Sequence, residues 1–189
     1  KNYYLANGTY SELFEYGTIA IPKYKGEKKY DATFVGVLGT DVQFQKSELL
    51  ELVANNFDFK WWGVKGPLID QFPNLIKSWQ GKAAGKKMYD IYQQSKIVPN
   101  DYPFNANGQA SNIRIKEVFS AGSMLLTRFS EDLTPLLQKN MLAVFDSNQD
   151  CIEKINFYLT HENERENIAE KGRILGEELF DGMRLMKQY

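Results

Sequence analysis

The chain has 189 residues, of which 43% are hydrophobic and 25% are charged, so it is long enough to bury one well-packed core. Its 23 basic and 24 acidic residues give a net charge of −1, which excludes a general electrostatic attraction to nucleic acid or to an anionic membrane. With Cys151 as its one cysteine, the chain cannot form an internal disulfide, which fits a reducing compartment. No apolar run approaches the roughly 20 residues that span a bilayer. We therefore predict a cytoplasmic domain with no transmembrane segment and no nucleic-acid partner.

Residues 1–30 are predicted to be a lead-in or interdomain linker. They are rich in tyrosine and lysine and show weak periodicity, with turn signals at Gly8, Gly17 and Pro22. The chain also begins with Lys1 rather than methionine, so we expect it to be a fragment of a longer protein.

From residue 30 onward, short apolar runs alternate with segments of helical periodicity. The predicted strands lie at 32–37, 57–63, 76–81, 96–100, 123–127 and 141–145. The predicted helices lie at 47–54, 84–95, 112–121, 131–138 and 149–159. A long helix follows, which Asn163 and Glu166 would open as a capping box. This alternation predicts an α/β fold, with a Rossmann-like parallel sheet and helices on both faces.

Two glycines and a lysine follow the first of these strands. Gly36 and Gly39 would let the backbone turn sharply and approach a ligand closely, although no third glycine completes the dinucleotide-binding pattern. Lys46 lies at the start of the next helix, where a cation opposes the helix dipole unless an anion is close. A plain tight turn and a solvated lysine are the alternatives.

The sharpest group of candidate residues lies on the helix predicted at 112–121. Arg114 and Glu117 are three residues apart and therefore share a helix face. A polar run rich in glycine and asparagine at 105–112 precedes them, so the helix N-terminus could face a phosphate and Glu117 could lie near a ribose. The alternative is a surface ion pair, worth roughly 0.2–0.5 kcal/mol.

The remaining polar residues exclude several kinds of site. His161 is the only histidine, which excludes histidine-dependent triads and multi-histidine metal sites, so we expect no metal and no cofactor. Cys151 is interpreted as a small buried apolar residue. Lys82, Lys86 and Lys87 form a second basic group, which we interpret as a solvated surface.

As an ensemble, these motifs resemble the C-terminal domain of GT-B fold glycosyltransferases, particularly the glycosyltransferase group 1 type that includes spore-maturation-like proteins. The order and spacing of the motifs hold over roughly residues 30–175. The matching residues are Phe34-Val35-Gly36, Leu49-Leu50-Glu51-Leu52, Trp62-Gly63, the run 88–92, Arg114 with Glu117, Gly122, Leu125-Leu126-Thr127, Tyr158-Leu159 and the run 164–172.

The resemblance implies a single donor-binding domain at 31–175, a helical extension at 176–189, and a missing N-terminal domain that would hold the acceptor. The bound donor would be a nucleotide-diphosphate sugar. Glu117 would accept hydrogen bonds from its ribose, helix amides would face its diphosphate, and its base would pack after the second strand. The donor-binding residues that the resemblance implies are Gly36, Gly39, Trp62, Gly63, Val64, Ser111, Asn112, Ile113 and Glu117.

The resemblance also implies a hexosyltransferase-like reaction without a metal. Lys46 and Arg114 would stabilise the leaving diphosphate, and no covalent step is indicated. Many relatives carry a glutamate eight residues before the ribose-binding one, and this chain has Gln109 there, which leaves the stereochemical outcome open. We expect the fragment alone to bind donor and catalyse little. The alternative function is a non-catalytic nucleotide-binding or interaction module that retains the fold.

Overall fold

The structure, a computed structural model, describes residues 3–5, 9–11, 21–102 and 113–180. Strands β1 (Tyr3–Leu5) and β2 (Thr9–Ser11) pair antiparallel as a separate two-stranded sheet. The central sheet is parallel and contains β3 (Tyr30–Leu38), β4 (Phe59–Lys65), β5 (Ser95–Asn100), β6 (Met124–Arg128) and β7 (Ala143–Phe145).

Helices connect these strands within the described residues. They are α1 (Phe44–Asn56), α2 (Pro73–Ser78), α3 (Lys86–Gln93), α4 (Ile113–Ala121), α5 (Thr134–Gln138), α6 (Asn148–Thr160) and α7 (Glu162–Phe180). Single 3-10 turns lie at Ile69–Gln71 and Glu131–Leu133. The predicted alternation of strands and helices is therefore confirmed.

The strand order of the central sheet is β4-β3-β5-β6-β7. Strand β3 lies between β4, which follows it in sequence, and β5, which begins the second half of the sheet. The direction in which strands are added therefore reverses at β3. In open α/β sheets, the crevice outside the carboxyl ends of the strands at such a reversal is where ligands bind. This chain has its topological switch point between the carboxyl ends of β3 and β5.

Two hydrophobic cores cover the two faces of the sheet. Side chains of successive strand residues point to opposite faces, so Phe34 and Ile97 face one core while Val35 and Val98 face the other. The first core is closed by α1, α2 and α6, and the second by α3 and α4. Helices on both faces of a parallel sheet confirm the predicted Rossmann-like α/β fold.

The strand predicted at 76–81 is wrong. Residues Pro73–Ser78 form α2, and Trp79 makes only an isolated bridge with Trp61. Pro73 lies in the first turn of α2, where its missing N–H removes no helical hydrogen bond. Glu51 of α1 accepts hydrogen bonds from the backbone N–H groups of Asn74 and Leu75, both at 2.9 Å. A short helix stabilised by a distant carboxylate leaves little trace in local periodicity.

Removing this capping carboxylate should destabilise the fold. We expect Glu51→Ala to lower the free energy of unfolding by about 1–3 kcal/mol, because two helix N–H groups lose a charged acceptor. Glu48→Ala is the matched control, since Glu48 is an exposed glutamate of the same helix. Urea denaturation of both variants tests the expectation, and equal midpoints would contradict it.

Residues just before β3 pack along the amino-terminal edge of the sheet. Lys28 Nζ donates to the carbonyl oxygen of Gly122 (3.1 Å), and Gln93 Nε2 donates to that of Pro22 (2.7 Å). Burial lowers the pKa of Lys28 to about 8. The last part of the predicted linker therefore packs against the domain, and α7 continues without interruption past residue 175. The domain boundaries at 30 and 175 stay predictions.

Candidate functional site

The switch point brings together the starts of two helices. Strand β3 leads into α1, and α4 follows β5 in the chain. The N–H of Gly39 donates to Ser47 Oγ (2.9 Å), which fixes the first turns of α1 against the end of β3. Lys46 lies in the first turn of α1, and Arg114 lies in the first turn of α4. Two predicted cationic residues therefore meet at the carboxyl edge of the sheet.

The ring of Phe34 lies close to both cations. Lys46 Nζ lies 5.6 Å from the ring centroid, and the Arg114 guanidinium carbon lies 4.8 Å from it. Gly36 lies beside them, since a Cβ atom added there would be 3.2 Å from Arg114 Nη2. Cations are attracted to an aromatic face, which partly offsets the mutual repulsion of the lysine and the arginine.

Arg114 and Glu117 form the pair that their spacing predicts, but the pair is buried. Nη1 of Arg114 lies 3.0 Å from Oε2 of Glu117, and the two side chains are 14% and 12% exposed. Arg114 also donates to the Tyr92 hydroxyl. Burial raises the pKa of Glu117, and the charge of Arg114 opposes this rise. This pair is therefore part of the interior of the switch point and not the surface ion pair considered from the sequence.

Glu117 keeps one oxygen available. Its Oε2 accepts from Arg114, while no donor among the described residues reaches its Oε1. The pKa of neighbouring Tyr89 is raised to about 12, mainly by burial and additionally by the negative charge of Glu117. An ionised carboxylate with an open oxygen can accept a hydrogen bond from a ligand hydroxyl.

Lys46 is buried, and no anionic partner contacts it among the described residues. Its exposed fraction is 7%, and within the described residues it makes no hydrogen bond and no salt bridge. Burial, followed by the charge of Arg114, lowers the pKa of its ammonium group to about 8, and the charge of Asp101 opposes this effect. A buried cation in the first turn of a helix, next to a second cation, is unfavourable. An anionic ligand would relieve this cost.

The glycines of the two adjoining strands are required by packing inside the chain. Gly36 and Gly63 are opposite each other in the register of β3 and β4. A Cβ atom on Gly63 would lie 1.7 Å from the Gly36 carbonyl oxygen, and Gly63 has a φ of +141°. At Gly39, with a φ of +75°, a Cβ atom would lie 2.7 Å from the backbone of Ile69. Their contact with a donor stays a prediction.

The side chains predicted to contact the nucleotide base do not share one orientation. Trp62 is buried in the second core and packs edge-on against Tyr30, at 5.8 Å between ring centroids. Val64 is exposed, as is Val37, its neighbour on β3. Only Val64 of the predicted group Trp62, Gly63 and Val64 therefore presents a side chain to solvent.

Three of the predicted residues, Gln109, Ser111 and Asn112, lie outside the described residues. Ile113 begins α4, and its side chain is exposed. The predicted contacts of these residues with a donor stay predictions.

Sequence reasoning missed an ion pair beside the site. Asp101 directly follows β5, and Arg128 ends β6. Nε of Arg128 lies 3.0 Å from both carboxylate oxygens of Asp101, and Nη2 lies 2.9 Å from Oδ2. The available signal was that oppositely charged residues end two consecutive predicted strands, whose carboxyl ends meet at one edge of a parallel sheet.

A cavity of about 640 Å³ lies at the opposite, amino-terminal edge of the sheet. Its lining includes Lys28, Lys96, Gly122, Arg165, Glu166 and Glu170. Its charges are largely paired within the chain, as in the 2.8 Å contact of Lys96 with Asp31. None of the predicted site residues lines this cavity.

Two other interpretations are confirmed. Cys151 is fully buried, and burial raises the pKa of its thiol to about 12, as expected for an inert core residue. Lys86 has a side chain that is 81% exposed and pairs with Asp90 at 2.7 Å, as expected for a solvated surface.

Neither a membrane-crossing helix nor a metal-binding group is found in the part of the chain that the structure describes. There, no helix combines the length and the apolar character needed to cross a membrane. The same residues contain no cluster of three or more His, Cys, Asp or Glu side chains that could hold a metal ion. Metal independence stays a prediction.

The sheet order and its flanking helices define the chain as a Rossmann-like α/β domain. Residues 45–180 match the family model described as Glycosyl transferase-like. Because this match covers more than half of the chain, the chain belongs to that family. No curated protein sequence matches it.

Several solved glycosyltransferase structures share the fold. TarM of S. aureus matches 91% of this chain at 12% identity, with a TM-score of 0.65. HepE of Anabaena, solved in complex with UDP-glucose, matches 82% at 13% identity, with a TM-score of 0.60. The C-terminal domain of LpcC, a glycosyl transferase group 1 family protein of Francisella tularensis, matches 82% at 13% identity, with a TM-score of 0.57.

The fraction of each matched protein that this chain covers also varies. The chain spans 36% of TarM and 46% of HepE, but 87% of the LpcC domain. At these identities the likeness concerns the fold. The predicted resemblance to a C-terminal domain of this class is confirmed at that level.

Proposed function

We propose that this chain is the donor-binding domain of a glycosyltransferase and binds a nucleotide-diphosphate sugar at the switch point. The donor diphosphate would lie against Lys46 and the N-terminus of α4, and its ribose against Glu117. The family match and the complex of HepE with UDP-glucose support a nucleotide-sugar donor. The sugar would be transferred to an acceptor held by a further domain of a longer protein.

The observation that carries this proposal is the buried ammonium group of Lys46. It lies at the edge of the sheet where ligands of such folds bind, and among the described residues it has no anionic partner. A diphosphate would supply the missing negative charge. It would also be stabilised as a leaving group, because the charge that develops on it during transfer lies next to a cation in a poorly solvated site.

Glu117 and Arg114 have complementary roles in this proposal. Arg114 holds Oε2 of Glu117 at 3.0 Å, so the carboxylate is kept in one orientation. Its Oε1, which no donor among the described residues reaches, would accept from a ribose hydroxyl. The guanidinium, fixed over Phe34, adds a second positive charge near the diphosphate. We propose that transfer proceeds without a metal, because these two cations would neutralise the leaving group.

Calorimetric titration with UDP, GDP and uridine tests the proposal. We expect one of the two nucleoside diphosphates to bind with a Kd below about 1 mM, which corresponds to about −4.1 kcal/mol. If UDP is the preferred nucleotide, uridine should bind at least tenfold more weakly, since it lacks the diphosphate that Lys46 would contact. Absence of binding by both nucleoside diphosphates would contradict the proposal and would favour an interaction module that retains only the fold.

A further inference from the structure

We propose that Arg128 is a positioning residue of the donor site, acting through Asp101. By occupying the Asp101 carboxylate, Arg128 keeps this carboxylate away from Lys46 and so leaves the ammonium group available to the diphosphate. The inference rests on the proposed function, since it concerns the same site.

The contacts of Asp101 show how fully it is engaged. Its Oδ2 contacts Nη2 and Nε of Arg128, and its Oδ1 contacts Nε of Arg128 and the N–H of Tyr102 (2.9 Å). A guanidinium that contacts both oxygens of a carboxylate is a strong and geometrically specific partner. Asp101 is 2% exposed, so solvent has little access to its carboxylate, while the Arg128 side chain is 25% exposed.

Arg128 is also held by residues at the start of α6. Its Nη2 donates to Asn148 Oδ1 (2.9 Å) and its Nη1 donates to the carbonyl oxygen of Asp146 (3.1 Å), both just before or at the start of α6. The guanidinium plane lies near the ring of Phe145, at 5.0 Å from its centroid. These contacts fix Arg128, and through it Asp101, at the carboxyl ends of β5, β6 and β7.

Lys46 lies within electrostatic reach of this carboxylate. Strand β5, which Asp101 follows, is the neighbour of β3, and the charge of Asp101 acts on the ammonium group of Lys46. Both side chains are buried, so their attraction is poorly screened. Lysine has a flexible stem of four carbons, which allows its ammonium group to reorient towards an open anion.

In the described part of the switch point, the charges of Asp101, Glu117, Arg114 and Arg128 form two ion pairs, and Lys46 is a further cation. Arg114 contacts Glu117, Arg128 contacts Asp101, and Lys46 contacts no carboxylate among the described residues. If Arg128 is replaced by a neutral residue, pairing of the Asp101 carboxylate with Lys46 becomes favourable, because a buried anion without a partner is costly. The diphosphate would then have to compete with Asp101 for Lys46.

A double-mutant experiment tests this role. We expect Arg128→Gln to weaken binding of the preferred nucleoside diphosphate, UDP or GDP, at least tenfold, although Arg128 would not contact the nucleotide. Adding Asp101→Asn should restore the affinity to within about threefold of the unmodified chain, because the neutral amide cannot pair with Lys46. Arg173→Gln is the matched control, since Arg173 makes a similar two-oxygen contact with Glu170 on α7, and its affinity should not change.

The outcomes separate this inference from the proposed function. If the unmodified chain binds no nucleoside diphosphate, the proposed function fails. If it binds and Arg128→Gln binds equally well, or the double variant is as weak as Arg128→Gln, the positioning role is overturned. If Arg128 had a purely structural role, the double variant would be as weak as Arg128→Gln. Should Arg128→Gln not fold, Arg128→Lys should show a smaller loss, again restored by Asp101→Asn, and lack of restoration would overturn the inference.

Discussion

Replacing Lys46 by methionine is expected to weaken UDP binding by one to two orders of magnitude while making the free protein more stable. The ammonium group is buried beside Arg114 without a carboxylate partner in the described part of the chain. Methionine has a similar length and fills the same space without a charge. The lowering of this pKa from 10.5 to about 8 corresponds to a stability gain of about 3–4 kcal/mol at pH 7, on the scale of about 1.4 kcal/mol per pKa unit.

The pH dependence of stability provides a second test of the same substitution. The pKa of Lys46 is about 8 in the folded chain and has an ordinary value of 10.5, so the unfolded chain binds more protons between these values. The free energy of unfolding therefore rises with pH from about 8 to 10.5. Below pH 8 it is reduced by the full cost of burying the charged ammonium group. Lys46→Met should remove part of this rise. Thermal unfolding at pH 7 and pH 10 measures the difference.

Lys28→Met is the matched control for Lys46→Met. Burial also lowers the pKa of Lys28 to about 8, but this lysine lies at the opposite edge of the sheet, where it donates to Gly122 and Ser123. It should leave the affinity for UDP unchanged. Equal affinities of the Lys46→Met variant and the unmodified chain would contradict the role of Lys46.

Replacing Glu117 by alanine is expected to lower both stability and nucleotide affinity. The substitution leaves the buried Arg114 guanidinium without its carboxylate, which costs about 3–5 kcal/mol for a pair of this kind. Affinity for UDP should fall by roughly 1–3 kcal/mol, since the ribose loses a charged acceptor. Urea denaturation and calorimetric titration measure the two effects separately.

A chemical double-mutant cycle separates ribose binding from a structural role of Glu117. Glu117→Gln keeps the size of the side chain and should cost less stability than alanine. Removing the ribose hydroxyls of UDP should weaken binding to the unmodified chain by about tenfold or more and should weaken binding to Glu117→Gln clearly less, because the neutral amide lacks the charge that strengthens this contact. Additive losses would show that Glu117 only supports Arg114.

The fold could be predicted because strand and helix signals are local. Buried parallel strands such as β5 and β6 appear as short apolar runs, and the helices between them carry their own periodicity. Helix α2 was missed because its stabilisation comes from Glu51 on another element. Only tertiary structure shows such a contact.

The site could be predicted in part for the same reason. The pairing of Arg114 with Glu117 follows from their spacing within one helix, but their burial under Phe34 and Tyr92 depends on β3 and α3. Asp101 and Arg128 come together only because β5 and β6 are neighbours in the sheet. The sequence shows these two charges at strand ends without showing that they meet.

Mapping of backbone amide chemical shifts during titration with UDP would locate the bound nucleotide in the fold. A ligand at the switch point should shift the amides of Gly36, Gly39 and Lys46 and those in the first turns of α4, including Glu117. The amides around Gly122, at the amino-terminal edge beside the 640 Å³ cavity, should stay unchanged. Shifts confined to that opposite edge, with the switch-point amides unmoved, would contradict nucleotide binding at the switch point.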